Sequence, residues 1–241
     1  MHRHAGETVL GRSDFPSETA WAEWVRDYYR AEETYDWVDV ADHYKGLESL
    51  FHRNRRSVVR KLVARHGGGA PMLDAGCGTG LNLASLPAGS VGIDLNPRNL
   101  ALIRERLPHH PVVEGDIENM PFRDGTFGTV VCTEVLEHVP YPERALSEIR
   151  RVLRPGGVLI GSVPSRSLIW KLRFLSSTCP GDEPFHNEYT PAEIRGMLDP
   201  FEVTKIWLSP LHFNVMFIAR RPLSAGGAQI RRLVTSDGPR R

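Results

Sequence analysis

The sequence predicts an α/β fold in which helices cover both faces of a mostly parallel, doubly wound sheet. Short apolar runs typical of buried strands occur at 72–75, 91–95, 112–114, 129–133 and 158–163. Segments with helical periodicity separate them, one with its apolar stripe at Leu100, Ile103 and Leu107 and another beginning at Ala145. Strands that alternate with helices form parallel sheets, because each helix carries the chain back to the same end of the sheet.

Amphipathic segments on both sides of this region extend the prediction. An apolar stripe over 21–28 indicates a first helix, and a second helix, basic on one face, ends at the glycines 67–69. After the last buried strand, a capping box at 190–193 opens a further helix. Two final apolar runs, 201–208 and 213–219, are close enough in sequence to form an antiparallel pair.

Composition narrows the function classes. The 241 residues carry a net charge of +1, which argues against strong whole-molecule attraction to nucleic acid or anionic lipid. Three widely spaced cysteines, Cys77, Cys132 and Cys179, form no CxxC pair, which disfavours a structural zinc site and a disulfide framework. The sequence has neither the apolar run of a signal peptide nor one long enough to span a membrane, so we expect a cytoplasmic protein.

The most informative segment is the glycine-rich turn after the first strand. Asp74 precedes the pattern GxGxG at 76–80, and Leu81 stands where dinucleotide-binding turns carry a glycine. A carboxylate at Asp74 would repel a pyrophosphate but attract an ammonium group. Asp94 ends the second strand, where it can accept hydrogen bonds from ribose hydroxyls. An amino acid joined to a nucleoside fits both acids, and S-adenosylmethionine is that molecule; we expect a helix to follow the turn.

In these residues the chain resembles the class I S-adenosylmethionine-dependent methyltransferases, in the small-molecule branch that includes ubiquinone and menaquinone methyltransferases. Further blocks match that family in order, at 115–117, 122–127, 133–139 and 153–157. The resemblance implies a Rossmann-like sheet of seven strands in the order 3-2-1-4-5-7-6, with the last strand antiparallel and an N-terminal helical lid. It assigns to the cofactor the residues Asp74, Gly76, Cys77, Gly78, Asp94, Leu95, Asp116, Ile117 and Thr133.

Three residues on the acceptor side are candidates for catalysis. His138 follows the fourth strand, and His186 and Tyr189 lie in a loop that covers the acceptor pocket in this family. We expect a helix to begin at Glu134, directly after the fourth strand. Glu134, Glu137 and His138 then have the spacing of one helix face, as the ligands of a divalent ion would need. Acidic residues also favour helix N-termini without any metal, so we predict no metal site.

The resemblance also divides the chain into parts. Residues 67–221 are expected to form the methyltransferase domain, with a lid insert at about 165–189. Residues 1–66 would form an N-terminal arm and helical cap, and 222–241 a disordered tail.

The predicted acceptor is a small molecule or a lipid, methylated on oxygen, carbon or nitrogen. Basic and apolar residues alternate at helical spacing over 165–177, which suits transient contact with a membrane surface as well as the lid that we favour. The alternative function is a catalytically inactive, cofactor-binding partner subunit. Leu81 disfavours a nicotinamide-dependent oxidoreductase, and the near-neutral charge disfavours nucleic-acid methylation. The acceptor's identity and the oligomeric state stay open.

Overall fold

The structure, a computed structural model, describes residues 12–32, 36–44, 47–167 and 187–223. The strands in these residues are β1 Met72–Ala75, β2 Val91–Asp94, β3 Val112–Glu114, β4 Phe127–Thr133, β5 Leu153–Pro164, β6 Glu202–Leu208 and β7 Asn214–Arg220. The α-helices are α1 Glu18–Ala31, α2 Trp37–His43, α3 Leu47–His66, α4 Pro97–Arg106, α5 Pro142–Val152 and α6 Pro191–Met197. Most of the predicted lid insert, including His186, and most of the predicted tail lie outside the described residues, as does Cys179.

The seven strands form one sheet in the order β3-β2-β1-β4-β5-β7-β6. Strands β1 to β5 pair in parallel, whereas β7 runs antiparallel to both of its neighbours, β5 and β6. The predicted fold class and strand order are therefore confirmed. The strand order reverses between β1 and β4, and in open α/β sheets ligands bind beyond the carboxyl ends of the strands at such a point.

Two layers of apolar side chains fix the helices to the sheet. Leu100 and Ile103 of α4 are buried in one layer, and Leu146 and Ile149 of α5 are buried in the other. These are members of the apolar stripes that the sequence indicated, and their burial confirms that the stripes face the sheet. The capping box at Thr190 is also present at the start of α6.

The strand predictions were wrong in two places. Strand β5 begins at Leu153, although the glycines that follow were predicted to separate the helix from the strand. Gly156 takes a φ of +75°, and its N–H donates to the carbonyl of Arg221, so the segment stays paired. Strand β3 is also not buried: its valines are half-exposed, because the strand lies at the edge of the sheet and pairs only with β2.

No α-helix follows the glycine-rich turn, which corrects another prediction. A short 3-10 helix, Leu83–Ser85, takes its place before β2 begins. Residues 76–90 form the whole connection between β1 and β2, and the glycine-rich turn takes up its first five residues. The remaining ten residues hold only the 3-10 helix before β2 begins.

The segment after β4 is a turn as well, and α5 begins later than we predicted. Glu134 has a φ of +55°, far from the value of about −63° that a helical residue adopts. Pro142 occupies the first position of α5, where its missing N–H costs no hydrogen bond. Glu134, Glu137 and His138 consequently do not share a helix face.

The N-terminal helices are tied to the carboxyl end of the sheet. Ser17 caps the start of α1, and Trp21 and Val25 lie on the buried face of that helix. At its other end, the side chain of Asn96 donates to the carbonyl of Glu32 at 3.0 Å, and Arg98 donates to that of Ala31 at 2.8 Å. These two residues lie at the N-terminus of α4, so α1 crosses the edge at which the predicted cofactor residues are found. The division of the chain at residue 66 stays a prediction.

Candidate functional site

The turn after β1 is built on three glycines in the left-handed region of φ. Gly76, Gly78 and Gly80 have φ values of +73°, +51° and +92°, which residues with a side chain rarely adopt. A Cβ atom on Gly76 would lie 2.5 Å from the side chain of Val135. The N–H of Gly76 donates to the carbonyl of Ile93 at 2.9 Å. The turn is therefore compact and attached to the neighbouring strand β2.

Asp74 presents a buried carboxylate at the start of this turn. Its Oδ2 atom has no hydrogen-bond partner among the described residues, and the same holds for Thr79 Oγ1 and Asn82 Oδ1. Burial raises the pKa of Asp74 to about 7, against the lowering effect of the Leu83 N–H and the positive charge of Arg55. Buried polar atoms without partners are rare in folded proteins. Their grouping around the turn suits a polar ligand, and the carboxylate suits a cationic one.

Asp94 lies at the end of β2 and holds two backbone N–H groups. Its Oδ2 accepts from Gly78 at 2.8 Å and its Oδ1 accepts from Asn96 at 2.9 Å. Burial raises the pKa of this carboxyl group. The side chain of Asn99 also donates to Oδ1, at 3.4 Å. Two carboxylate oxygens offer about four lone-pair sites, so Asp94 retains the capacity to accept from a hydroxyl group. The structure thus brings Asp94 and the glycine-rich turn into direct contact.

Asp116 follows β3 and makes an ion pair that the sequence did not suggest. Its Oδ2 accepts from Arg26 Nε at 2.7 Å, and its Oδ1 accepts from the N–H of Glu118 at 2.8 Å. The same guanidinium contacts the buried carboxylate of Glu118. Ile117, which stands between Asp116 and Glu118 in the sequence, is also buried. The predicted adenosine residues are therefore joined to helix α1.

The other residues predicted for the cofactor site are placed as follows. Thr133 Oγ1, at the end of β4, accepts from Asn82 Nδ2 at 2.8 Å, next to the glycine-rich turn. Cys77 is buried, and its Sγ atom would lie 2.8 Å from a Cβ on Gly92, so it packs against β2. Burial raises the pKa of this thiol well above its ordinary value. Leu95 directly follows β2 and is half-buried.

The three residues considered for a metal point to different partners. Glu134 accepts from Ser162 Oγ at 2.5 Å and from Asn214 Nδ2 at 2.6 Å. His138 Nδ1 lies 2.9 Å from the Tyr29 hydroxyl, and its Nε2 lies 3.8 Å from Glu137. Within the described ranges, no group of three His, Cys, Asp or Glu residues could hold a metal ion.

Tyr189 is buried beside the turn that carries His138. Its hydroxyl donates to the carbonyl of Leu136 at 3.4 Å, and burial raises the pKa of the phenol to about 12. The N–H of Asn187 donates to the carbonyl of Glu137 at 3.2 Å. The structure therefore brings the chain at 187–189 against the turn after β4.

The N-terminal helices contribute an aromatic and basic group next to the glycine-rich turn. Trp37 Cδ1 lies 3.5 Å from the position of a Cβ on Gly78, so α2 covers the glycine-rich turn. From α3, the ring of His52 lies 5.0 Å from that of Trp37, and Arg55 lies over the same indole.

Comparison with known proteins finds a family match within the chain. Residues 73–161 match the family described as a methyltransferase domain. Over these residues the chain therefore carries a methyltransferase domain. The matched residues include the glycine-rich turn, Asp94 and the turn after β4.

The chain spans only part of the length of the relatives that it matches. A probable S-adenosylmethionine-dependent methyltransferase of Mycolicibacterium smegmatis is 32% identical over 162 residues, covering 65% of this chain and 61% of the relative. The phthiotriol/phenolphthiotriol dimycocerosates methyltransferase of Mycobacterium tuberculosis is 41% identical over 116 residues, covering 45% of this chain and 40% of the relative. The chain thus matches about two fifths to three fifths of these two proteins.

A solved structure supports the fold of the methyltransferase domain. Magnesium protoporphyrin IX methyltransferase from Synechocystis, with bound S-adenosylhomocysteine, aligns with a TM-score of 0.63 at 21% identity. The alignment covers 83% of this chain and 99% of that protein.

The residues that sequence reasoning missed lie outside the matched range. Arg26, Tyr29 and Arg55 all belong to helices before residue 73. Their contacts with Asp116, His138 and Trp37 depend on how these helices pack. One local signal was present: His52 and Arg55 are three residues apart on α3, and such residues are neighbours on a helix surface.

Proposed function

We propose that the protein transfers a methyl group from S-adenosylmethionine to a small-molecule acceptor. The observation that carries this proposal is the buried carboxylate of Asp74 at the glycine-rich turn, whose Oδ2 atom has no hydrogen-bond partner among the described residues. A buried carboxylate needs a compensating positive charge, and the cofactor's amino-acid end supplies an ammonium group. Asp94 lies in contact with the same turn and can accept from a ribose hydroxyl.

The residues present fit the cofactor along its whole length. Asp74 would bind the ammonium group, and Gly76 and Gly78 leave room for the ligand to approach the backbone. Asp94 would bind the ribose. Cys77 and Thr133 would line the methionine side of the pocket. Leu95, Asp116 and Ile117 would form the adenosine side of the pocket, and Arg26 holds Asp116 in place.

The bound cofactor would supply an electrophilic methyl group attached to a sulfonium sulfur. The acceptor's electron pair would form the new bond to the methyl carbon. The electrons of the carbon–sulfur bond would pass to the sulfur, which would leave as a neutral thioether. The protein's task is to hold the two reactants in line at near-attack distance. A base is needed only where the acceptor must also lose a proton.

We propose His138 as the first candidate for such a base and Tyr189 as the second. His186 lies outside the described residues and stays a prediction. The hydroxyl of Tyr29 and the carboxylate of Glu137 flank the His138 ring, which would orient it. Tyr189 is less suited, because a phenol with a pKa of about 12 is almost entirely neutral near pH 7.

The nature of the acceptor is supported by relatives rather than by the site. One relative is named as a methyltransferase of phthiotriol and phenolphthiotriol dimycocerosates, and a structural neighbour as one of magnesium protoporphyrin IX. We therefore propose a hydrophobic small molecule or lipid, with the acceptor atom left open. Across the described ranges, no helix combines the length and apolarity that crossing a membrane requires. Cytoplasmic location and transient membrane contact stay predictions.

Isothermal titration of the purified protein with S-adenosylhomocysteine, with NADH as the control ligand, tests the cofactor assignment. We expect micromolar binding of S-adenosylhomocysteine alone. Binding of NADH alone would contradict the proposal and favour an oxidoreductase.

Activity is then tested with radiolabelled S-adenosylmethionine and a panel of phenols, quinols and lipids. We expect label to pass to at least one class. Tight cofactor binding without transfer to any acceptor, including acceptors in a cell extract, would favour the inactive partner subunit.

A further inference from the structure

One face of α3 is exposed and carries positive charge along much of the helix. Four exposed positions, which we call the basic face, hold Arg53, Arg60, Lys61 and Arg65. At about 100° per residue, these side chains and Leu50 fall within an arc of about 140°, and the basic face is about 18 Å long. On the opposite side of the helix, Val59 and Val63 are buried against the sheet. The charge therefore points away from the body of the protein.

The charges of the basic face are not balanced within the described part of the protein. None of its four cations forms an ion pair with a residue whose side chain the structure describes. Asp42, near the end of α2, pairs instead with Arg56 at 2.6 Å. The whole chain carries a net charge of only +1, so this positive charge is local. Like charges on one helix face repel one another, and an anionic surface would relieve that repulsion.

Large apolar side chains are exposed at one end of this helix. In the described part of the chain three such side chains are exposed, and two of them, Tyr44 at 61% and Leu50 at 56%, lie where α2 ends and α3 begins. The hydroxyl of Ser49 donates to the carbonyl of Ala41 at 3.2 Å, which fastens the two helices together at this point. Exposed apolar side chains beside a row of cations are typical of helices that lie on membrane surfaces.

The same end of α3 adjoins the proposed active site. Leu50 is followed by Phe51, whose ring lies 5.4 Å from that of His52 and 6.1 Å from that of Phe213. His52 in turn contacts Trp37, which covers the glycine-rich turn. A bilayer that met this end of α3 would therefore bring a hydrophobic acceptor close to the site.

We infer that α3 docks the protein on anionic lipid bilayers, with the basic face against the headgroups and with Tyr44 and Leu50 in the interface. The docking itself requires neither cofactor nor acceptor; only the delivery of a hydrophobic acceptor rests on the proposed function. A nucleic acid would also balance the four cations, but its phosphates would leave Leu50 in water. A bilayer buries that side chain as well, which is why we favour it.

Co-sedimentation with vesicles of phosphatidylcholine, with and without phosphatidylglycerol, tests the docking. We expect the protein to bind the anionic vesicles and to bind phosphatidylcholine alone at least about tenfold more weakly. The double variant Arg60→Gln, Lys61→Gln removes two charges of the basic face. It should weaken binding to the anionic vesicles about 10- to 30-fold, the effect of two cations near an anionic leaflet.

The double variant Arg123→Gln, Arg195→Gln is the matched control. It lowers the net charge by the same amount at two exposed arginines away from α3. Ile194, next to Arg195 in α6, is buried in the apolar layer on the other side of the sheet from α3. Because charges further away than a Debye length are screened, this control should stay within about threefold of the wild type.

The apolar contribution has a test of its own. Tyr44→Ser, Leu50→Ser keeps the basic face and should weaken binding to the anionic vesicles about tenfold. This ratio to the wild type should persist when salt is added, because salt screens charges and does not weaken hydrophobic burial. Circular dichroism and thermal unfolding establish that every variant is folded.

Three results would overturn the inference. They are no binding of the wild type to anionic vesicles, equal binding of the wild type and Arg60→Gln, Lys61→Gln, and undiminished binding of Tyr44→Ser, Leu50→Ser. Fluorescence anisotropy with a single-stranded oligonucleotide completes the test, because binding of the oligonucleotide without binding of vesicles would assign the basic face to nucleic acid.

Titration of the same proteins with S-adenosylhomocysteine separates this inference from the proposed function. The affinity for S-adenosylhomocysteine should be the same in the wild type and in both variants of this end of α3. Cofactor binding without vesicle binding would remove the docking and leave the proposed function standing. Vesicle binding without cofactor binding would do the reverse.

Discussion

Arg26 Nε of helix α1 donates a 2.7 Å hydrogen bond to the carboxylate of Asp116, which lies 90 residues further along the chain. The same guanidinium contacts Glu118, whose side chain is buried. Two neighbouring carboxylates at the edge of the proposed adenosine pocket therefore share one positive charge. Because this contact is partly buried, it does more than a surface ion pair to fasten α1 to the sheet domain.

Loss of this arginine should destabilise the protein. Arg26→Leu leaves the carboxylates of Asp116 and Glu118 without their shared partner, and removing one member of a buried ion pair costs about 3 kcal/mol. We expect a decrease of that order in the free energy of unfolding, measured by urea denaturation at pH 7.5.

Arg30 provides the matched control on the same helix. It pairs with Asp27 at 2.7 Å, and both side chains are largely exposed. Arg30→Leu should therefore cost less than about 1 kcal/mol, as is usual for exposed ion pairs. Equal effects of the two substitutions would show that the Arg26 contact contributes no more than a surface pair.

The raised pKa of Asp74 predicts a pH dependence of cofactor binding. In the free protein this carboxyl group has a pKa of about 7, and an ammonium group binds only its ionised form. Affinity for S-adenosylhomocysteine should therefore rise between pH 6 and pH 8 and level off above that. Below pH 7 the affinity should fall by up to about tenfold per pH unit.

The sign for stability is the opposite, and it gives an independent measurement. The folded protein without ligand holds a proton on Asp74 that the unfolded chain, with a pKa of about 4, releases earlier. This group therefore favours the folded state less and less as the pH rises from about 4 to about 7. In Asp74→Asn both pH dependences should shrink; if the affinity profile of that variant matches the wild type, another group titrates.

Local signals in the sequence were sufficient for the sheet and for most of the polar residues around the turn. Apolar runs of strand length alternate with helical stripes, and this pattern specifies a parallel sheet without knowledge of distant contacts. The glycines at 76–80 mark a turn that needs positive φ, and the three structural values confirm it. Asp74 and Asp94 then follow from their positions at strand ends.

Features that depend on packing could not be predicted in this way. The spacing of Glu134 and His138 suggested a helix, but the hydrogen bonds of Glu134 to Ser162 and Asn214 favour a turn with a positive φ. A basic helix face has the same sequence pattern whether its arginines meet solvent or a pocket, so Arg55 looked like its exposed neighbours. Only the position of Trp37 over the glycine-rich turn distinguishes it.

Gly76 should tolerate no side chain unless its neighbour is made smaller. Its φ is +73°, and a Cβ there would meet both methyl groups of Val135 at 2.5 and 2.6 Å. Strain and overpacking together are expected to cost Gly76→Ala about 2–4 kcal/mol of unfolding free energy. The double variant Gly76→Ala, Val135→Ala should recover part of that loss, because the clash is removed.

Gly89 separates the two causes of this loss. It has a φ of +84°, but nothing lies within 4 Å of a Cβ at that position. Gly89→Ala should therefore cost only about 1 kcal/mol, the price of the backbone conformation alone. If Val135→Ala gives no recovery in the Gly76→Ala background, the contact with Val135 is not what excludes a side chain.

The two acceptor-side residues within the described ranges should respond differently to substitution. Tyr189→Phe removes a hydroxyl whose pKa of about 12 keeps it neutral, so methyl transfer at pH 7.5 should stay within about threefold of the wild type. His138→Gln removes the imidazole that Tyr29 and Glu137 flank. With an acceptor that loses a proton, that variant should lower kcat about 100-fold or more.

An acceptor that attacks without losing a proton, such as a tertiary amine, supplies the control for this comparison. If His138 acts as a base, His138→Gln should slow methylation of the acceptor that must lose a proton and leave methylation of the tertiary amine unchanged. Equal losses with both would mean that the imidazole supports α1 through its contact with Tyr29 and takes no proton. A larger loss in Tyr189→Phe than in His138→Gln would reverse the order of the two residues as candidates for the base.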